Sequence, residues 1–227
     1  MLRKSGIRIV IEYIIAVPFM ALVFFLALGH TNLMSAWVFF CVAFIGSLSS
    51  ILVLANKHPE VLNHRGERKK GTKIWDKFFP AFLIFGYYAQ IIVAGLDLGR
   101  YHWSFLNLGY IALGIVLYMI GAYVLHLAMA ENTHFEKTVR IQEDRNHHVI
   151  STGPYRYIRH PGYFGAILWS IGIPLALGSI YSLLLGVFVI IMIIIRTALE
   201  DATLKRELAG YLEYTQKIRY RLFPGIW

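Results

Sequence analysis

The polar segment Ser151-Thr152-Gly153-Pro154-Tyr155-Arg156-Tyr157-Ile158-Arg159-His160-Pro161-Gly162-Tyr163-Phe164-Gly165 lies between two very hydrophobic regions, and Arg196, Glu200 and Asp201 arrive directly after a long apolar run. Cations, carboxylates and rings thus gather beside segments apolar enough to enter a bilayer, where an ionisable group is costly and reads as functional by default. Pro161 restricts His160 away from helical backbone and suits the first turn of a helix. Gly162 and Gly165 let backbone approach a ligand closely. The same residues would equally make a positive flank followed by a helix start. Arg196 and Glu200 share a helical face at i, i+4, so one reading is a surface ion pair of small energetic value. In the other reading, Glu200 and Asp201 stand side by side at the membrane edge. An unpaired carboxylate is costly to desolvate there, and such a pair suits a ligand with hydroxyls or a cation.

The remaining chemistry-bearing residues point elsewhere. Glu131-x-x-His134 is half of a di-iron helix motif without its second half, and His147-His148 lacks neighbouring His-rich boxes, so no metal is expected. His126, in an apolar run, is expected to be a hydrogen-bonded bundle residue. The chain has no GxGxxG, P-loop or serine nucleophile elbow, so a nucleotide-like cofactor would need another architecture. Cys41, the one cysteine, has no internal disulfide partner and is expected to pack.

The elements that must position these residues are membrane helices. Of 227 residues 57% are hydrophobic and 15% charged, which excludes an ordinary soluble domain. The expected fold is all-α: a polytopic transmembrane bundle of five to six spans with a cytoplasmic amphipathic carboxy-terminal helix. The spans run from Ile7 to Leu28 with Pro18 inside, Ala36 to Ala55, Phe78 to Leu96 and Leu106 to Met129. A hairpin from Tyr163 to Ile195, broken at Gly172, Pro174, Gly178 and Ser179, follows. Residues 1–129 are expected to hold the amino-terminal helices and a basic loop, and 130–227 the chemical core, within one integral membrane domain. The net charge of +9 is carried beside the spans, where headgroups and topology account for it, and no nucleic-acid partner is expected. Lys57, Arg65, Arg68, Lys69, Lys70, Lys73 and Lys77 fall in one loop, which by the positive-inside rule is cytoplasmic together with the amino terminus and the polar segment before Arg159. The chain reads as a prokaryotic plasma-membrane protein. Leu199, Leu204, Leu208, Tyr211 and Leu212 predict that the last span continues into the interface as an amphipathic helix, and the tail from Ile218 to Trp227 reads as an interfacial anchor.

From Asn132 onward the chain resembles the isoprenylcysteine carboxyl methyltransferase family, whose core is shared with phospholipid N-methyltransferases. The matching pieces are His147 with Val149-Ile150-Ser151, then Gly153-Pro154-Tyr155, Arg159-His160-Pro161-x-Tyr163-x-Gly165, Arg196-x-x-x-Glu200-Asp201-x-x-Leu204, and Gly210-Tyr211-x-x-Tyr214. Pro59-Glu60-Val61-Leu62 and Gly71-Thr72-Lys73-x-Trp75-Asp76-Lys77 resemble prokaryotic members more loosely. Two departures are the family's Glu-Glu, here Glu200-Asp201, and the eukaryotic Asn-Pro of the hairpin, here Ile173-Pro174.

The resemblance implies an enzyme that binds S-adenosylmethionine at the cytoplasmic helix ends and methylates a lipophilic acceptor, either a prenylcysteine-like carboxylate or a lipid amine. His147, Ile150, Gly153, Tyr155, His160, Pro161, Tyr163, Glu200 and Asp201 are the expected cofactor residues, and Arg159, His160, Arg196 and Glu200 the expected catalytic ones. Methyl transfer from a sulfonium is an in-line displacement governed by positioning and charge. Glu200 and Asp201 would hold the ribose or ammonium, Tyr155 and Tyr163 would face the cation, and Arg159 or Arg196 would hold an acidic acceptor. A carboxylate needs no base, whereas an amine would draw on His160 or Glu200. Two other readings remain open: a sterol-reductase-like enzyme using NADPH, and a non-enzymatic membrane binding or structural protein. Oligomeric state is not legible in the sequence.

Overall fold

Ile7, Ile11, Ile15, Phe19, Leu22 and Leu26 recur every three or four residues on the first helix, and all are exposed. A stripe of bare aliphatic and aromatic side chains suits hydrocarbon rather than water, while the helix satisfies its own backbone polar groups, as a bilayer demands. The computed structural model describes residues 1–67 and 71–227. Arg68, Lys69 and Lys70 of the basic loop lie outside the described residues.

Helices α1 (Lys4–Leu28) and α2 (Met34–Lys57) form the first pair, with Pro18 inside a continuous α1 and the turn between them made by Gly29 at φ 84°. A short α3 (Pro59–Gly66) folds back against α1, and α4 (Phe79–Leu96) and α5 (Leu108–Glu131) form the next pair. Then α6 (Pro161–Leu177) and α7 (Ile180–Glu207) make the hairpin, and α8 (Tyr211–Lys217) follows. Five helical stretches are long and apolar enough to cross a membrane: α1, α2, α4 with its flanking turns, α5 and α7. The protein is a multi-pass integral membrane protein, all-helical among the described residues. Helix α6, at 17 residues, is the short sixth member, and it lies inside the bundle with 11 of those residues buried.

What lets α6 sit there is small side chains. A Cβ on Gly165 would stand 2.6 Å from the Gly121 carbonyl oxygen of α5, and one on Gly172 would stand 2.7 Å from the Tyr118 nitrogen. Without water to drive helices together, such close backbone approach is what holds membrane helices to one another. Gly165→Val is therefore expected to lower the unfolding midpoint in detergent, at an overpacking cost of about 1–3 kcal/mol. An unshifted midpoint would show that α5 and α6 part without penalty.

The far end of the hairpin is pinned by a buried carboxyl. Asp97 accepts hydrogen bonds from the Ser104 amide (2.9 Å) and from the hydroxyls of Ser104 and Ser179 (2.5 Å each), tying the end of α4 to the α6–α7 turn. His126 behaves as an intrabundle residue, its Nδ1 within 2.7 Å of the Ser50 hydroxyl. Cys41 does not pack; it is exposed on α2. The amphipathic continuation of the last span reaches Glu207 and then breaks, because Gly210 takes φ 79° and starts a separate α8. The tail is only partly an anchor: Leu222 is fully buried with Ile167, Val189 and Ile193.

Candidate functional site

Residues 132–150 form no long helix, yet side chains hold them in one shape. The Arg140 guanidinium donates to both oxygens of Glu136 (2.9 and 3.1 Å) and to Asp144 (2.7 Å). Gln142 donates to the His134 carbonyl at 2.7 Å, and Arg145 to the Thr133 carbonyl at 2.8 Å. This stitched loop closes one side of a cavity of about 390 Å³, within the usual range for small-molecule sites. The starts of α6 and α8 and the ends of α3, α5 and α7 line the rest, and Pro80, Leu83 and Ile84 of α4 give it an aliphatic flank. Ile84 is also exposed, so that flank adjoins the lipid-facing surface.

Most of the residues singled out in the sequence meet here. His147, Ile150, Tyr155, Arg159, His160, Tyr163, Arg196 and Glu200 all line the cavity. Gly153, Pro161 and Asp201 do not. Gly153, at φ 55°, begins the turn that carries Tyr155 inward, and Pro161 occupies the first turn of α6. Tyr155 is held by its own hydroxyl, which donates to the Ala128 carbonyl at 3.3 Å and accepts from Asn132 at 3.2 Å.

Glu200 and Asp201, adjacent in sequence, face different surroundings, since successive helix positions do not share a face. Glu200 accepts the Tyr163 hydroxyl at 2.5 Å and has no ion pair among the described residues. Asp201 is fully buried and surrounded by donors. Arg159 reaches its two oxygens through Nε (2.8 Å) and Nη2 (3.2 Å), Arg221 Nε donates at 2.9 Å, and the Tyr211 hydroxyl at 3.1 Å. His160 Nε2 lies 3.4 Å away and Lys205 Nζ 3.2 Å. Arg159 Nη1 donates to the carbonyls of Ile218 and Arg219 (2.7 Å each), while its amide and that of His160 donate to Tyr220 and Arg221 (3.0 Å each). Asp201 and Arg159 thus clasp the tail to the start of α6.

Arg196 likewise has its ion pair elsewhere than Glu200. Its Nε and Nη2 donate to Asp76 at 2.8 and 3.1 Å, and Nη2 also to the Lys137 carbonyl at 2.8 Å. Its guanidinium lies 5.4 Å from the Tyr163 ring centroid, a cation–π contact. Asp76, Arg196, Tyr163 and Glu200 therefore follow one another in contact, each fixing the next. The sequence reading missed Asp76 as a partner, although an acid within a basic loop beside a span was a signal for it. It also missed Arg221 and Tyr211 around Asp201.

Burial drives the His147 imidazole down to about 4, with His134, His148, Arg140 and Arg145 adding to the effect. Its Nδ1 accepts the Gln142 amide at 3.3 Å, so the neutral ring carries its proton on Nε2. The folded chain then binds a proton at His147 less readily than the unfolded chain, whose histidine titrates near 6.5. Stability from this residue is complete above the unfolded value and is lost as pH falls from about 6.5 to about 4. Melting midpoints measured across that window should fall less in His147→Gln than in the wild type. Parallel curves would remove His147 from the acid response.

A family model for the isoprenylcysteine carboxyl methyltransferase (ICMT) family matches residues 112–206. Over 109 residues the chain is 33% identical to the protein-S-isoprenylcysteine O-methyltransferase of Saccharomyces cerevisiae, covering 47% of this chain and 46% of that one. It is 30% identical over 108 residues to a probable protein-S-isoprenylcysteine O-methyltransferase of Oryza sativa subsp. japonica, covering 46% and 56%. With protein-S-isoprenylcysteine O-methyltransferase B of Arabidopsis thaliana it shares 26% over 122 residues, covering 52% and 59%. The chain spans about half the length of the curated relatives it matches. The matched stretch takes in the polar loop, α6 and all but the last residue of α7, elements that build much of the cavity wall, and over that stretch the chain is similar to the isoprenylcysteine carboxyl methyltransferase family.

Proposed function

We propose that the protein is a membrane methyltransferase that uses S-adenosylmethionine to methylate the carboxylate of a lipophilic, prenylcysteine-like acceptor. The observation that carries this reading is the cavity: one continuous space with a carboxyl group that has no ion pair among the described residues, aromatic rings and a histidine held neutral by burial on its polar side, and an aliphatic flank toward lipid. The relatives' names concern the same chemistry.

The residues present fit the donor. Glu200, with no cation of its own, suits a ribose hydroxyl or ammonium. Tyr163, which donates to Glu200, and Tyr155 offer ring faces to a sulfonium. His147 supplies a neutral N–H donor. When bound, S-adenosylmethionine supplies an electrophilic methyl group. The chain's own work is to align that group with a carboxylate oxygen and to keep water out, which is worth several kcal/mol where the geometry is fixed beforehand. A carboxylate is already ionised at neutral pH, so no residue has to take a proton. Arg159 and Arg196, with guanidinium groups engaged by Asp201 and Asp76, act in this reading by positioning His160 and Tyr163. The aliphatic chain of the acceptor would lie along Pro80, Leu83 and Ile84. The positive loop supports a cytoplasmic orientation for this end of the bundle, and a prokaryotic plasma membrane is the setting proposed for it.

The test is transfer of isotopic methyl from labelled S-adenosylmethionine to an S-prenylated N-acetylcysteine by the purified protein, beside titrations with S-adenosylhomocysteine and NADPH. Label in a methyl ester and binding of the adenosyl ligand are expected. Binding of NADPH in its place would overturn the reading in favour of a reductase.

A further inference from the structure

Among the described residues five arginine and lysine side chains line the cavity, and four have acidic partners. Arg159 is held by Asp201, Arg196 by Asp76, Arg140 by Glu136 and Asp144, and Lys137 by Glu12. Arg65, at the end of α3, differs. It makes no ion pair among the described residues. Its Nη2 donates to the Tyr13 hydroxyl at 3.3 Å, and its guanidinium stacks 5.2 Å from the centroid of the Phe135 ring. Its Nε and Nη1 are buried and have no hydrogen-bond partner among the described residues. Nε carries one N–H and Nη1 two, so three donors of a permanently charged group stand unspent in the cavity wall. Leaving buried donors unmade is costly, more so on a charge, and no acid among the described residues meets them.

The plane of this guanidinium is also fixed relative to the site. Phe135, on which it stacks, packs against Gly162 so closely that a Cβ there would stand 2.7 Å from the ring. The Phe135 ring therefore touches both the Arg65 guanidinium and Gly162 in the first turn of α6. Arg65 lies outside the stretch that matches the family model.

We infer that Arg65 receives a carboxylate of a ligand bound in this cavity, the unspent donors on Nε and Nη1 meeting its oxygens. The inference rests on the methyltransferase reading, which brings two carboxylates to the cavity: that of the donor's methionyl part and that of the acceptor.

The experiment uses the purified full chain as wild type, Arg65→Lys and Arg65→Ala, with melting midpoints as the check on folding. Calorimetry gives Kd for S-adenosylhomocysteine and for 5′-methylthioadenosine, which keeps the nucleoside and lacks the carboxylate; turnover gives KM for the prenylated acceptor. If Arg65 holds the donor, Arg65→Ala should weaken S-adenosylhomocysteine ten-fold or more and leave 5′-methylthioadenosine unchanged. If it holds the acceptor, KM should rise ten-fold or more with both nucleosides unchanged. Arg65→Lys, which keeps the charge without the planar group, should fall between and carries the test if the alanine variant does not fold. Constants within two-fold of wild type, or equal weakening of both nucleosides with KM unchanged, would overturn the inference while leaving the methyltransferase reading intact. A wild type that binds no S-adenosylhomocysteine would overturn both.

Discussion

Glu200→Gln is expected to weaken S-adenosylhomocysteine binding by ten- to a hundred-fold and to reduce methyl transfer at least as much, with an unfolding midpoint close to wild type. The variant keeps the shape of the side chain and an oxygen for the Tyr163 hydroxyl, so it removes only the charge. A hydrogen bond to a charged group is worth about 1.5–3 kcal/mol, or roughly ten- to a hundred-fold in affinity. Glu200→Ala also strips the acceptor from Tyr163 and should cost more. The fold does not rest on this carboxyl: it has no cation to strand among the described residues, and its half-buried position leaves room for water. Stability is therefore expected to change by less than about 1 kcal/mol. Calorimetric titration and a melting scan on one preparation check both halves. Unchanged binding would remove Glu200, and with it the polar side of the cavity, from the proposed site.

The bundle, its spans and the clustering of the polar motifs could be read in advance because they depend on local properties. Apolar length sets a span, and Pro161 with its neighbouring glycines marks where α6 starts and packs. The partnerships could not be read. Asp76 and Arg196 lie 120 positions apart, and Asp201 draws Arg159 from before α6 and Arg221 from the tail. No periodicity links such residues; the fold alone decides which acid meets which base. The loop 132–150 was opaque for the same reason, since its shape comes from side-chain bonds such as Arg140 to Glu136 rather than from a backbone repeat. Two features were nevertheless available. Lys205-Arg206 ahead of Gly210 is a helix-ending signature, and it outweighs the leucine spacing that suggested a longer helix. The turn of about 100° between successive helix residues argues that Glu200 and Asp201 face different surroundings.

That separation gives Asp201 the opposite signature. Asp201→Asn should lower stability by about 3–5 kcal/mol, the cost of breaking a buried ion pair and leaving its partners uncompensated. Every group around Asp201 is a donor, so the new amide would turn an N–H₂ toward Arg221 or Arg159, and both arginines would lose their counter-charge. In a chain of this size such a loss shifts the unfolding midpoint by roughly 10 °C. Arg159, no longer anchored by a carboxylate, is expected to hold the carbonyls of Ile218 and Arg219 less firmly, which loosens the tail that seats Leu222 beside Ile167 and Val189. Ligand binding should fall too, but in step with folding: at a temperature well below the new midpoint, or with excess S-adenosylhomocysteine, the variant should bind within a few-fold of wild type. Glu200→Gln should show no such recovery. Had Asp201→Asn melted like the wild type and yet lost the ligand, the carboxyl would have to hold the ligand itself, and the clasp between α6, α7 and the tail would be incidental. Its complete burial beneath Arg159, Tyr211 and Arg221 argues for the clasp, because a ligand could reach it only by displacing them.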